Sequence, residues 1–317
     1  MKTILVTGCL GYIGCRLVPR LLGAGHRVIG VDSLRYNNGK CLLGVLGHPR
    51  FDFHKLNVVA DAAAVRRLAT RADDIIPLAA LVGAPVCERN PQEAEAVNTA
   101  AIADLAGSLS ISQRILYPNT NSGYGTSGLD RELTEEDSLA PISVYGATKV
   151  KGEDFVRRHR NYVSLRLATV FGLSPRMRFD LMVNDFCRKV HSLEDNPSGT
   201  LELFEPHYRR NFVHVDDVAS AFLHLLEGPD TGPFNVGNPE CNMTKFELAK
   251  TVCDGAGVTR KVIRFADGRD PDQRDYVVSN AKLLNTGFQF EHGIREGIGQ
   301  VLTFLRSGVN TVRMSNL

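Results

Sequence analysis

The sequence predicts an α/β fold in which a doubly wound parallel sheet carries a smaller, mixed C-terminal domain. Three observations predict it. Short β-branched runs alternate with helix-length stretches through the first half. A glycine-rich string joins the first run to the first helix, and an acidic residue ends the second run. After residue 172 the alternation gives way to segments punctuated by glycine and proline.

The first run, residues 4–7, is short, apolar and stopped by a glycine, which suits a buried strand. Residues 12–23 read as the helix after it. Further strands are expected at 26–31, 74–78, 114–117 and 163–168, with helices at 62–70, 93–110 and 144–160. In the second half, helices are expected near 179–193, 217–226 and 244–255, while 173–175, 196–200 and 228–239 read as turns. The expected division is a sheet domain over 1–172, rejoined by chain near 210–228 and 280–306, with 173–280 forming mainly a substrate domain.

Composition narrows the function. The 317 residues are 43% hydrophobic and 23% charged, enough to bury a sizeable core. A net charge of +2 and the absence of a basic stripe argue against a nucleic-acid partner. The cluster from Arg157 to Arg160 reads as a solvated helix face. The seven cysteines are scattered and include no Cys-x-x-Cys pair, so neither a disulfide framework nor a metal site is expected. No run is long enough to span a bilayer, and the expected location is cytoplasmic, away from any membrane.

The string from Thr7 to Gly14 points to a dinucleotide. Gly8 permits a tight turn, Gly11 lets the backbone approach a pyrophosphate, and Gly14 allows close helix–sheet packing. The helix that starts near Tyr12 and Ile13 offers free N–H groups and a positive dipole end to the phosphates. Asp32 ends the second strand, where a carboxylate accepts hydrogen bonds from ribose hydroxyls and repels a 2′-phosphate. NAD is therefore expected rather than NADP, for which only Arg35 would be a nearby partner.

Tyr145 and Lys149 stand four apart on a helix and so share a face. A phenol ionises near ~10, and an adjacent ammonium favours the phenolate, making a base for a hydroxyl proton. The string from Tyr117 to Gly125 follows a strand whose carboxyl end faces the cleft. There Thr120 can bond the reacting oxygen, and Ser122 and Tyr124 lie close enough in sequence to reach a sugar.

Together these strings resemble the extended short-chain dehydrogenase/reductase family, specifically its Rossmann-fold, NAD-dependent nucleotide-sugar epimerases and dehydratases, along the whole chain. The resemblance implies that Thr120, Tyr145 and Lys149 are catalytic. It places the adenine side on Asn57 and Val58, and further cofactor contacts on Leu78, Ala79, Ala80 and Asn98. Pro77 stands where relatives usually carry histidine, and Thr169 where many carry asparagine. Substrate contacts are implied for Arg176, Asn184, Thr169 and Arg210, and for Arg269 and Arg274 as a second grip on the diphosphate.

Residues 75–85, 118–125 and 174–178 resemble one branch of the family in particular, the GDP-heptose 4-dehydrogenases of bacterial capsule biosynthesis. Family dehydratases place acids after the catalytic threonine. Asn121 and Ser122 occupy those places and cannot act as general acids, so dehydration is disfavoured. The expectation is a 4-epimerase, with a 4-dehydrogenase as the alternative and a non-catalytic NAD sensor as a third reading. The helices at 93–110 and 144–160, with small residues such as Ala94, Ala101 and Ala147, imply a homodimer by the same resemblance.

Overall fold

The structure is a computed structural model that describes residues 1–126, 131–194, 196, 198–267, 277–308 and 314–316. In chain order the first half runs β1 (Thr3–Thr7), α1 (Gly14–Gly23), β2 (Arg27–Asp32), β3 (Phe51–Lys55), α2 (Ala62–Ala69), β4 (Asp74–Pro77), α3 (Ala84–Arg89), α4 (Pro91–Glu95), α5 (Ala101–Gly107), β5 (Arg114–Thr120), α6 (Val144–Val156) and β6 (Tyr162–Leu167). The second half runs β7 (Thr169–Phe171), α7 (Met182–Glu194), β8 (Leu201–Leu203), β9 (Arg209–His214), α8 (Val215–Glu227), β10 (Gly232–Val236), β11 (Asn242–Thr244), α9 (Lys245–Ala256), β12 (Ile263–Phe265), α10 (Ala281–Leu284) and α11 (Ile294–Arg306).

Seven strands form one sheet in the order β3-β2-β1-β4-β5-β6-β10, every pair parallel. This is the doubly wound α/β sheet expected, with two strands more than the sequence signals. The strand β3 (Phe-Asp-Phe-His-Lys) is half-exposed at one edge, so it lacks the continuous apolar run of a buried strand. At the other edge, β10 begins Gly-Pro, which reads as a turn, although proline is tolerated in an edge strand. The chain thus rejoins the sheet at 232–236, within the stretch expected to belong to the second unit.

Helices α1 and α8 cover one face over Ile4, Val6, Val163 and Leu165, while the other face buries Leu5, Ile29, Ile115 and Tyr117 beneath α2, α5 and α6. A third core gathers α7, α9 and α11 around Phe186, Val252 and Val301. Helix α11 therefore packs on the smaller unit and not on the sheet. The smaller unit adds two little sheets, β11-β9-β7 and β12-β8. Helix α9 opens with a reciprocal capping box between Thr244 and Glu247.

The single helix expected over 93–110 is interrupted. Pro91–Glu95 and Ala101–Gly107 flank a π-helical turn, Ala96–Ala100, that carries Asn98. All seven cysteines are free thiols. Among the described residues no helix is long and apolar enough to cross a membrane.

Candidate active site

The loop from β1 to α1 shows why its glycines are glycines. Gly8 sits at φ +68°, and a Cβ there would lie 2.6 Å from the Ala79 backbone nitrogen. A Cβ on Gly14 would lie 2.5 Å from the Cys9 carbonyl oxygen. Helix α1 is thereby brought down onto the strand end, and its first N–H groups open into a cleft of about 490 Å³, a size suited to a small-molecule ligand. Gly8, Gly11, Tyr12, Ile13 and Gly14 line this cleft, as do Asn57, Val58, Leu78, Ala79 and Ala80.

Asp32 also lines it. One carboxylate oxygen accepts from the Leu10 N–H (3.0 Å) and the other from the Leu34 N–H (2.9 Å), so the group is fixed at the end of β2. Arg35, the cation the sequence offers nearest to a 2′-phosphate, is instead engaged by Glu93, its second contact being 3.1 Å. The protein should therefore bind NAD more tightly than NADP, and Asp32→Ala should narrow the gap by about tenfold. Calorimetry on both proteins with both cofactors checks this; equal wild-type affinities would refute it.

Thr120, Tyr145 and Lys149 line the same cleft. Tyr145 lies in the first turn of α6, which is capped by the Ser143 side chain accepting from the Gly146 N–H. Lys149, one turn on, is 2% exposed, and its Nζ stands over the Tyr117 ring at 4.2 Å. Burial pushes its ammonium down to about 7, offset in part by the Glu153 carboxylate. Glu153 is itself held ionised, against its burial, by Arg166 (2.7 Å) and Ser164 (2.7 Å). On β5, Thr120 Oγ1 donates to Ser122 Oγ (2.9 Å) and accepts from the Ser122 N–H (3.2 Å).

Other expected site residues lie elsewhere. Asn98 does not line the cleft; its carboxamide accepts from the Leu81 N–H (2.8 Å) and donates to the Leu81 carbonyl (2.9 Å), holding the cleft wall from behind. Tyr124 is turned inward by the 3₁₀ turn Asn121–Tyr124, and its hydroxyl meets Asn235 (2.7 Å) and Arg166 (2.9 Å) in the core. Asn184 is buried on α7, where it accepts from the Gly172 N–H (3.1 Å) and donates to the Tyr12 hydroxyl (3.1 Å). Arg210 is fully buried on β9 and stands apart from the cleft lining. Arg269 and Arg274 lie outside the described residues. Ser122, Thr169 and Arg176 do face the cleft.

The sequence reading missed Tyr36, Ser143, Arg178 and Asn316, all of which line the cleft. Arg178 is buried and paired with Asp180 at 2.5 Å. Its one sequence signal is the Arg-Met-Arg string, in which only Arg176 was singled out.

His214, Asp216 and His292 bring possible metal-ligand atoms within 4.8 Å of one another. The trio is better read as a helix cap. His214 accepts from the Asp216 N–H at the start of α8, and Asp216 is paired with Arg16 (2.6 Å) and Arg20 (2.9 Å). Burial and the neighbouring His292 push His214 down to about 4. The unfolded chain takes up this proton below about 6.5, whereas the folded chain refuses it until about 4. Stability should therefore be lost as pH is lowered through that window, and regained as it rises. His214→Gln should flatten the dependence in urea titrations, and an unchanged slope would refute the assignment.

A family model described as the NAD dependent epimerase/dehydratase family matches residues 4–237. The UDP-glucose 4-epimerase of Mycolicibacterium smegmatis is 30% identical, over 97% of this chain and 99% of the relative. UDP-glucuronic acid decarboxylase 6 of Arabidopsis thaliana is also 30% identical, over 93% of this chain and 86% of the relative. Among solved structures, dTDP-glucose 4,6-dehydratase from Streptomyces venezuelae superposes with a TM-score of 0.84 at 23% identity, covering 96% of this chain and 97% of that one. UDP-glucose 4-epimerase from Thermotoga maritima gives a TM-score of 0.81 at 24% identity, covering 96% and 99%.

Proposed function

The chain belongs to the NAD-dependent epimerase/dehydratase family, and from that premise we propose that it oxidises a nucleotide-diphosphate sugar at C4 and acts as a 4-epimerase. The supporting observation is that one cleft is lined both by the glycine loop with Asp32 and by Thr120, Tyr145 and Lys149. The residues fit a dinucleotide. Gly8, Gly11 and the start of α1 would hold its phosphates, Asp32 a ribose, and Asn57 and Val58 the adenine side. Bound NAD supplies a hydride acceptor for C4.

The chain's own residues handle the proton. Tyr145 as phenolate takes it from the C4 hydroxyl, Lys149 favours that phenolate, and the Thr120 hydroxyl donates to the oxygen as it becomes a ketone. Asn121 and Ser122 hold no proton that an elimination could use, which argues against a 4,6-dehydratase. Inversion would require the cleft to let the 4-ketone turn over, so that its other face is the one reduced.

The likeness of residues 75–85, 118–125 and 174–178 to GDP-heptose 4-dehydrogenases supports a second reading, in which the 4-keto sugar leaves. A panel of GDP-, UDP-, ADP- and dTDP-sugars, followed by NMR of the products and by cofactor absorbance, separates the two. A C4-inverted sugar without net NADH supports the epimerase. A 4-keto sugar with stoichiometric NADH supports the dehydrogenase. No turnover of any sugar and no reduction of NAD would refute both.

We further read α5 and α6 as the contact of a homodimer. They pack side by side next to the π-helical turn, with Ala101, Ala103, Ala147 and Val150 only partly buried. A monomer mass by light scattering at micromolar protein would refute it.

A further inference from the structure

Arg176 crosses the cleft on its dinucleotide side. Its backbone lies near the Cys15 thiol in the first turn of α1, and its guanidinium lies 4.6 Å from the centre of the Tyr36 ring, just beyond Asp32. These contacts bracket the strip between the start of α1 and the end of β2. A dinucleotide seated by Gly8, Gly11 and Asp32 carries its pyrophosphate across that strip.

The guanidinium is aimed by oxygens of the protein. One terminal nitrogen donates to the Met177 carbonyl (2.7 Å), the other to Asn316 Oδ1 (2.7 Å) and the Ser315 carbonyl (3.4 Å). Asn316 lines the cleft and is itself held, its backbone N–H donating to Asp180 (3.2 Å). The Phe179 N–H donates to the Met314 carbonyl (2.8 Å), and Met314 packs into the core of the smaller unit. Segment 314–316 is thus fastened across residues 176–180.

We propose that Arg176 binds the pyrophosphate of the dinucleotide cofactor, not the sugar nucleotide, and that Asn316 is the positioning residue that aims it. Among the described residues, the bonds to Met177, Asn316 and Ser315 leave the Nε–H and one Nη1 hydrogen of Arg176, which can donate to phosphate oxygens as charge-assisted hydrogen bonds. The assignment depends on dinucleotide binding alone and holds whichever sugar reaction follows.

The test is NADH binding by fluorescence titration, with release followed by stopped flow, on the full chain without sugar nucleotide. Arg176→Gln should weaken NADH about tenfold or more and reduce the salt dependence of binding, while competition by adenosine, which has no phosphate, stays unchanged. Asn316→Ala should release NADH several-fold faster, whereas Asn316→Asp, which keeps the acceptor, should restore the wild-type rate. If Arg176→Gln does not fold, Arg176→Lys takes its place and should lose several-fold in NADH affinity. Unchanged NADH affinity with a raised sugar-nucleotide KM would overturn the proposal, making Arg176 a substrate ligand. Wild-type NADH release in Asn316→Ala, or equal loss in the Ala and Asp variants, would overturn the positioning role.

Discussion

Tyr145→Phe should lower turnover by about 10²–10⁴-fold and leave NAD(H) affinity nearly unchanged. The substitution removes one oxygen from a half-buried side chain on the first turn of α6. The ring's packing beside Leu81 and Val86 stays, so the fold should survive. What is lost is the only group in the proposed mechanism that accepts the C4 proton. Thr120→Val should fall between this variant and wild type, because it removes a hydrogen bond and keeps the base. Lys149→Met should also slow the reaction, since the ammonium stabilising the phenolate is gone. The assay follows bound-cofactor absorbance on addition of a turned-over nucleotide sugar. Wild-type reduction by Tyr145→Phe would show that another group is the base.

Gly8→Ala should be a severe single-methyl change, costing about 2–5 kcal/mol of stability and with it NADH binding. Two effects add. At φ +68° an alanine is strained, and its Cβ would fall 2.6–2.9 Å from backbone atoms of Leu78 and Ala79, which cannot rotate away as a side chain could. Gly23→Ala is the control, because a Cβ there meets nothing within 4 Å and its φ is ordinary. Guanidinium unfolding of both variants decides. Equal midpoints would show that the close approach of the two backbones carries no cost.

The place of the glycines, Asp32, Tyr145 and Lys149 in one cleft was legible because it follows from local backbone demands. Gly8 needs a left-handed turn, and Tyr145 and Lys149 share a face at any i, i+4 spacing on a helix. Tyr124, Asn184 and Arg210 were not, because a motif's spacing does not say which side of the backbone a residue faces. The 3₁₀ turn at Asn121–Tyr124 sends Ser122 to the cleft and Tyr124 to the core. Tyr36, Arg178 and Asn316 meet only in three dimensions, each arriving from a different segment, and no local pattern links them. The strands β3 and β10 escaped for a related reason, since an edge strand need not be apolar on both faces.

The last strand of the sheet has a consequence for synthesis. β6 is complete at Leu167, but its outer partner β10 ends at Val236, with β7, α7, β8, β9 and α8 made in between. As the chain leaves the ribosome, β6 presents an unpaired row of N–H and C=O groups through that whole interval. The apolar face later covered by Val218, Phe222 and Leu225 of α8 is bare for most of it. A nascent chain stalled between these points carries the cofactor loop and the Tyr145 helix, yet exposes a sticky edge beside an open core. Chaperone capture or aggregation would therefore concentrate on this window of translation.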